Sequence, residues 1–180
     1  FPVAQEALFR EYHKRGLRAV IGRGIQTAGP DAALPLVTTE DRAIKLVEAE
    51  IERWHPQSDE DLKKALISVA IVPRFSLSVT ARTLAALGEL YGHYRPRGVY
   101  VASHLSENNR PGDGEIAAVL KTYQVNSYLD TYDGRFLPGS RKGGESLLGR
   151  RTILAHCVHC TDAELKRMAE TPTSIAHCPV

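Results

Sequence analysis

The segment "VASHLSEN" (residues 101–108) runs apolar strand residues into a histidine, and a glutamate follows three positions later. His104 and Glu107 are residue types that perform hydrolytic chemistry together. Neutral imidazole is the commonest zinc ligand, and a ligand on a rigid strand end is well held. A carboxylate just past the strand end can reach a metal-bound water without ligating the metal, and can both accept and donate a proton. Similar endings recur along the chain. "IVP" leads into Arg74 and Phe75, "ILA" into His156 and "SIA" into His177. A single histidine of this kind is most often a core or surface imidazole with a satisfied hydrogen bond; several strands ending on reactive side chains weaken that reading.

The elements that must position these residues alternate. Apolar runs at 17–22, 65–72, 98–104, 151–157 and 173–178 read as strands. Helical patterns cover 1–16, 38–54, 78–94, 113–123 and 161–170. Thr39 caps the second of these, with Glu40 and Asp41 in its first turn, and Thr161 caps the last. The run 65–72 is nearly all apolar, as expected for a strand covered on both faces. Strand–helix alternation implies a parallel sheet, either doubly wound or closed into a barrel. In such barrels the chemistry sits at the carboxyl ends of the strands. Two Gly/Pro-rich loops, 26–37 and 132–150, have lengths that are more often functional than idle.

Composition narrows the class. The 180 residues are 43% hydrophobic and 24% charged with a net charge of +2, ordinary for a globular domain. That balance gives no electrostatic case for nucleic acid or an anionic membrane as partner. No apolar run approaches the ~20 residues of a membrane span. The opening residues form an amphipathic helix rather than a signal peptide. Cys157, Cys160 and Cys178 are too few and too clustered for a disulfide framework, so a reducing cytoplasm is expected. The chain starts on Phe and stops just past a strand-like "AHCP", so residues 1–180 are expected to be the central part of a longer catalytic domain, truncated at both ends.

Four stretches carry a resemblance: "PRFSLS" (73–78), "SHLSEN" (103–108), "TILAHCVH" (152–159) with "TDAEL" (161–165), and "SIAHCP" (174–179). Together they resemble the amidohydrolase superfamily of metal-dependent hydrolases and, within it, the guanine deaminases. The resemblance implies an α/β fold, part of a TIM-type β/α barrel, and zinc-dependent hydrolysis of guanine to xanthine and ammonia. It implies that His104 is a zinc ligand and lies against the substrate. Glu107 becomes the proton shuttle between the zinc-bound water and a purine ring nitrogen. His156 polarises the attacking hydroxide or stabilises the tetrahedral intermediate. Arg74 bonds the polar edge of the purine, and Phe75 packs on its ring. The implied partner is a small-molecule purine and the implied assembly a homodimer. The superfamily also carries a first-strand His-x-His pair and an eighth-strand Asp. The seven histidines (13, 55, 93, 104, 156, 159 and 177) form no such pair, so zinc should be absent or weakly held by this stretch alone.

Other readings compete. "HCVHC" contains a C-x-x-C, and a structural zinc could be drawn from Cys157, Cys160 and Cys178 plus a histidine. Side chains alternate along a strand, so Cys157 should face away from His156, and Cys157 and Cys178 read better as small buried hydrophobes. His177 fits the pocket or its underside equally well, while His159 reads as a loop residue. "HKRGLR" and "RPR" read as solvated charge. Within the enzyme class, a deaminase or chlorohydrolase of another purine, pyrimidine or triazine is the alternative. A metal-free barrel scaffold is the alternative outside it.

Overall fold

The computed structural model describes residues 2–30, 36–112, 114–134 and 146–178. In chain order the elements are α1 (Pro2–Lys14), β1 (Ala19–Ile25), α2 (Glu40–Trp54), α3 (Asp59–Lys64), β2 (Ile67–Pro73), α4 (Ala81–Tyr94), β3 (Tyr100–Leu105), α5 (Glu115–Tyr123), β4 (Thr152–His156), α6 (Asp162–Glu170) and β5 (Ser174–Ala176). The five strands form one sheet in the order β1-β2-β3-β4-β5, and every pairing is parallel.

That order decides between the two parallel architectures. A doubly wound sheet reverses its strand order at a switch point. Here each strand lies beside the one before it and the connection between them carries a helix, the arrangement of a β/α barrel. The fold is therefore α/β, an arc of a TIM-type barrel. Among the described residues β1 and β5 each have one neighbouring strand, so both are edges.

The core lies between the sheet and the helices. Ile21, Ile25, Val69, Ile71, Val101, Leu105 and Leu154 point to that side. They meet Ala43, Val47 and Ile51 of α2, a stripe at i, i+4 and i+8, and Leu84 and Leu87 of α4. On the other face Gly22 pairs directly with Ala70. Gly22 packs so tightly that a Cβ there would lie 2.3 Å from the Ala70 carbonyl oxygen.

Several sequence expectations gain physical detail. Thr39 accepts from Arg42 N–H, and Thr161 forms a full capping box with Glu164. β1 runs on to Ile25 because Gly22 and Gly24, weak strand formers, still pair with Ala70 and Val72. α3 escapes a periodicity search because "DEDLKK" is one polar turn and a half, set by its Ser58 cap. "RPR" is only partly solvated charge: Arg95 is exposed, while Arg97 is half-buried, and both are held by specific contacts. Arg97 ion-pairs with Glu52 and lies over Tyr94, while Arg95 lies 4.5 Å from the centre of the Tyr91 ring and donates to Ser146 O. Parts of the two long loops, 31–35 and 135–145, fall outside the described residues, as does Asp113 at the expected start of α5.

Candidate active site

The candidate side chains come from the carboxyl ends of three successive strands. Arg74 and Phe75 follow Pro73, the last residue of β2, and Arg74 N–H donates to Ile25 O of β1 at 3.2 Å. His104 lies in β3, Glu107 two residues beyond its end, and His156 closes β4. Arg74, Phe75, His104 and Glu107 line one cavity of about 360 Å³, together with Asn108 and Glu115. The Arg74 guanidinium stands 5.5 Å from the centre of the Phe75 ring, so cation and aromatic face form one wall.

His156 joins them, its ring tilted 34° to that of His104. Its Nε2 lies 3.0 Å from His104 Nδ1 and 3.4 Å from Glu107 Oε2. One ligand atom from each of these three residues falls within 4.8 Å of the other two, the one group among the described residues with the spacing of a metal site. Two imidazoles and a carboxylate suit zinc or another imidazole-binding divalent ion.

This meeting is not what strand alternation gives. β3 and β4 pair His104 with Ala155 and Leu105 with His156, so an ordinary strand would turn His156 toward the helices. Instead His156 and Cys157 adopt left-handed backbone, φ 72° and 56°, which redirects the imidazole across the strand end. Two cross-strand bonds hold the turn: Cys157 N–H donates to Leu105 O at 2.8 Å, and His159 N–H to Ser106 O at 3.1 Å. Ser106 is itself left-handed at φ 50°. Such conformations persist only where the surroundings over-determine them, and they cluster at functional sites.

Buried hydroxyls support β3 from below. Tyr132, 1% exposed, donates to His104 O at 3.0 Å, and Ser103 Oγ bridges Tyr132 Oη (3.0 Å) and Pro73 O (2.8 Å). Tyr128 stacks on Tyr132 with ring centres 6.1 Å apart. Burial, reinforced by the neighbouring His156, holds the His104 imidazole below the usual histidine range, against the opposing pull of Glu107 and Glu115. His104 therefore favours the neutral form that ligates metals.

The sequence reading did not single out Asn108, Glu115, Tyr128 or Tyr132. For Glu115 a signal exists: a glutamate opening a helix directly after a Gly/Pro-rich loop can turn its carboxylate back onto loop amides. His177 is exposed and stays outside the donor group, as do His13, His55, His93 and His159. Cys157, Cys160 and Cys178 are free thiols and half-buried rather than buried, because they flank the strand ends instead of entering the core. Cys157 and Cys160 pack against the hydrophobic cluster, and none of the three joins the donor group.

Comparison with known proteins agrees with this geometry. The sequence profile of the amidohydrolase family matches residues 3–180. The chain is 36% identical over 182 residues to a probable guanine deaminase of Deinococcus radiodurans, covering 99% of this chain and 35% of that protein. It is 34% identical over 180 residues to the guanine deaminase of Dictyostelium discoideum, covering 98% of this chain and 34% of that one. The solved structure of the Escherichia coli guanine deaminase superposes with a TM-score of 0.79 at 30% identity, covering 99% of this chain and 36% of that chain. The chain spans about a third of the length of these relatives.

Proposed function

The chain belongs to the amidohydrolase family, and on that premise we propose that it is the central part of a β/α-barrel catalytic domain that deaminates guanine hydrolytically to xanthine and ammonia. The observation that carries the reading is the convergence of His104, Glu107 and His156 beside the wall formed by Arg74 and Phe75. The same reading takes the protein to be a cytoplasmic homodimer acting on a small-molecule purine. No helix among the described residues is long and apolar enough to cross a membrane.

Of the three, His104 is read as the residue that would hold zinc, while Glu107 and His156 are kept for proton transfer and hydrogen bonding. With His104 Nδ1 engaged by His156, Nε2 is the nitrogen that would hold the ion. A tetrahedral site needs further ligands, which this reading assigns to other parts of the domain. Bound zinc would supply nucleophilic power at neutral pH by lowering the pKa of a water to about 7. Glu107 moves the proton: its carboxylate stands at the cavity wall, accepts it from the nucleophile and returns it to a purine ring nitrogen. A metal held at Nε2 leaves the His104 proton on Nδ1, which donates to His156 Nε2, so the His156 proton that would stabilise the oxygen on which charge develops is the one on Nδ1. Arg74 offers a planar fork to the acceptor edge of the base, and Phe75 packs against its face.

The test is turnover by the full-length protein with guanine, adenine, cytosine and an aryl chloride, alongside metal analysis. Ammonia release from guanine by a metal-containing protein is expected. Turnover of another heterocycle in place of guanine would overturn the substrate, and a folded, metal-free, inactive protein would overturn the enzyme.

A further inference from the structure

We propose that Glu115 is a positioning residue that fixes the backbone carrying Glu107; the proposal rests on the proton-shuttle role given to Glu107 above. Glu115 is the first residue of α5, and its carboxylate reaches back across the loop that separates α5 from β3. Its Oε2 accepts the Asn108 N–H at 3.3 Å. That N–H belongs to the peptide bond joining Glu107 to Asn108, so the bond restrains the backbone on which the Glu107 side chain stands. Its Oε1 accepts the hydroxyl of Tyr128, a residue 1% exposed. The carboxylate is thereby tied to the core at one oxygen and to the shuttle's backbone at the other. Bonds to an ionised acceptor are about twice as strong as neutral ones.

The rest of the loop is organised around the same clamp. Ile116 N–H donates to Asn108 O at 3.3 Å, returning the contact from α5. Asn108 Oδ1 accepts Arg110 N–H at 2.9 Å, and Gly114 N–H donates to Arg110 O at 2.9 Å. A Cβ on Gly114 would fall 2.4 Å from that same carbonyl oxygen, so the closure demands glycine. Residues 107–112 are exposed, so little packing holds them and these hydrogen bonds set their position. A carboxylate that must exchange a proton between two partners loses rate when its backbone drifts by an ångström.

The experiment uses the full-length enzyme with Glu115→Ala, Glu115→Gln and Tyr128→Phe, read by guanine kinetics and by hydrogen exchange at the Asn108 amide. Glu115→Ala should lower kcat about 10–100-fold, the usual cost of losing an outer supporting partner, with KM little changed and Asn108 exchanging faster. Glu115→Gln keeps an acceptor for Asn108 and a donor for the Tyr128 oxygen, so it should restore most of kcat. Tyr128→Phe should fall between them. Wild-type kcat in Glu115→Ala, unchanged Asn108 exchange, or a rise in KM alone would each overturn the proposal; the last would make Glu115 a substrate contact. Failure of the wild-type protein to deaminate guanine counts against the proposed function instead, and the exchange measurement still decides whether Glu115 clamps the loop.

Discussion

His104 Nδ1 and His156 Nε2 sit 3.0 Å apart, although the β3–β4 register would place their side chains on opposite faces of the sheet. The left-handed pair His156–Cys157 makes the contact possible. A β-branched residue tolerates that conformation poorly, whereas glycine adopts it freely. Cys157→Val should cost about 1–3 kcal/mol of stability and reduce turnover, while Cys157→Gly should fold and keep its activity. Thermal melting and guanine kinetics on the full-length protein check both. Equal stability of the two variants would show that the turn bears no strain.

Glu107→Gln preserves shape but cannot cycle a proton. Activity should fall on the order of 10²–10⁴-fold, with metal content unchanged because the shuttle is not assigned as a ligand. Ammonia release and elemental analysis of the same preparation measure the two effects. Normal turnover would remove Glu107 from the chemistry.

Arg74→Lys keeps the charge and loses the fork. The guanidinium also lies over the Phe75 ring, a contact that a flexible ammonium makes less well. A fall in kcat/KM for guanine at unchanged metal content is expected. A lysine variant with wild-type kcat/KM would reduce Arg74 to a structural residue.

His55, 3% exposed, links two elements through a neutral ring: Nδ1 accepts Val69 N–H of β2 and Nε2 donates to Arg97 O, each at 3.0 Å. Burial holds its pKa below the usual histidine range, against the pull of the Arg97 carbonyl. The unfolded chain therefore takes up this proton first. The contribution of His55 to stability is complete above the unfolded value of about 6.5, and declines as pH falls from there toward the depressed folded value. Urea unfolding between pH 5 and 8 should show that decline in the wild type and a flatter profile in His55→Gln. Identical profiles would exclude His55 as the cause.

The alternation of elements, the caps at Thr39 and Thr161, and the strand-end placement of Arg74, His104 and His156 were legible because each follows from local pattern. That His104 and His156 share one site followed from the resemblance, but the direct contact between their rings did not follow from local pattern. Alternation predicts the reverse, and a left-handed backbone at two non-glycine residues leaves no mark in residue type. The helix-opening position of Glu115 was a signal for its bond to the loop, but its second bond, to Tyr128 beyond the end of α5, had none. The pinned guanidinium groups of Arg95 and Arg97 were likewise invisible, since their aromatic partners are recognised only in three dimensions.

The unreversed strand order has a kinetic consequence. Arg74, His104 and His156 belong to three successive strands, and each parallel pairing must wait for a helix-containing crossover to close. Closing such loops carries an entropic cost that only the completed pairing returns, which makes these sheets slow to form. Arg74 and Phe75 adjoin in the chain, but the donor group they face exists only once His104, Glu107 and His156 have been brought together from β3 and β4. The cavity is therefore assembled late, and its chemistry becomes available only to molecules in which β2, β3 and β4 have already docked.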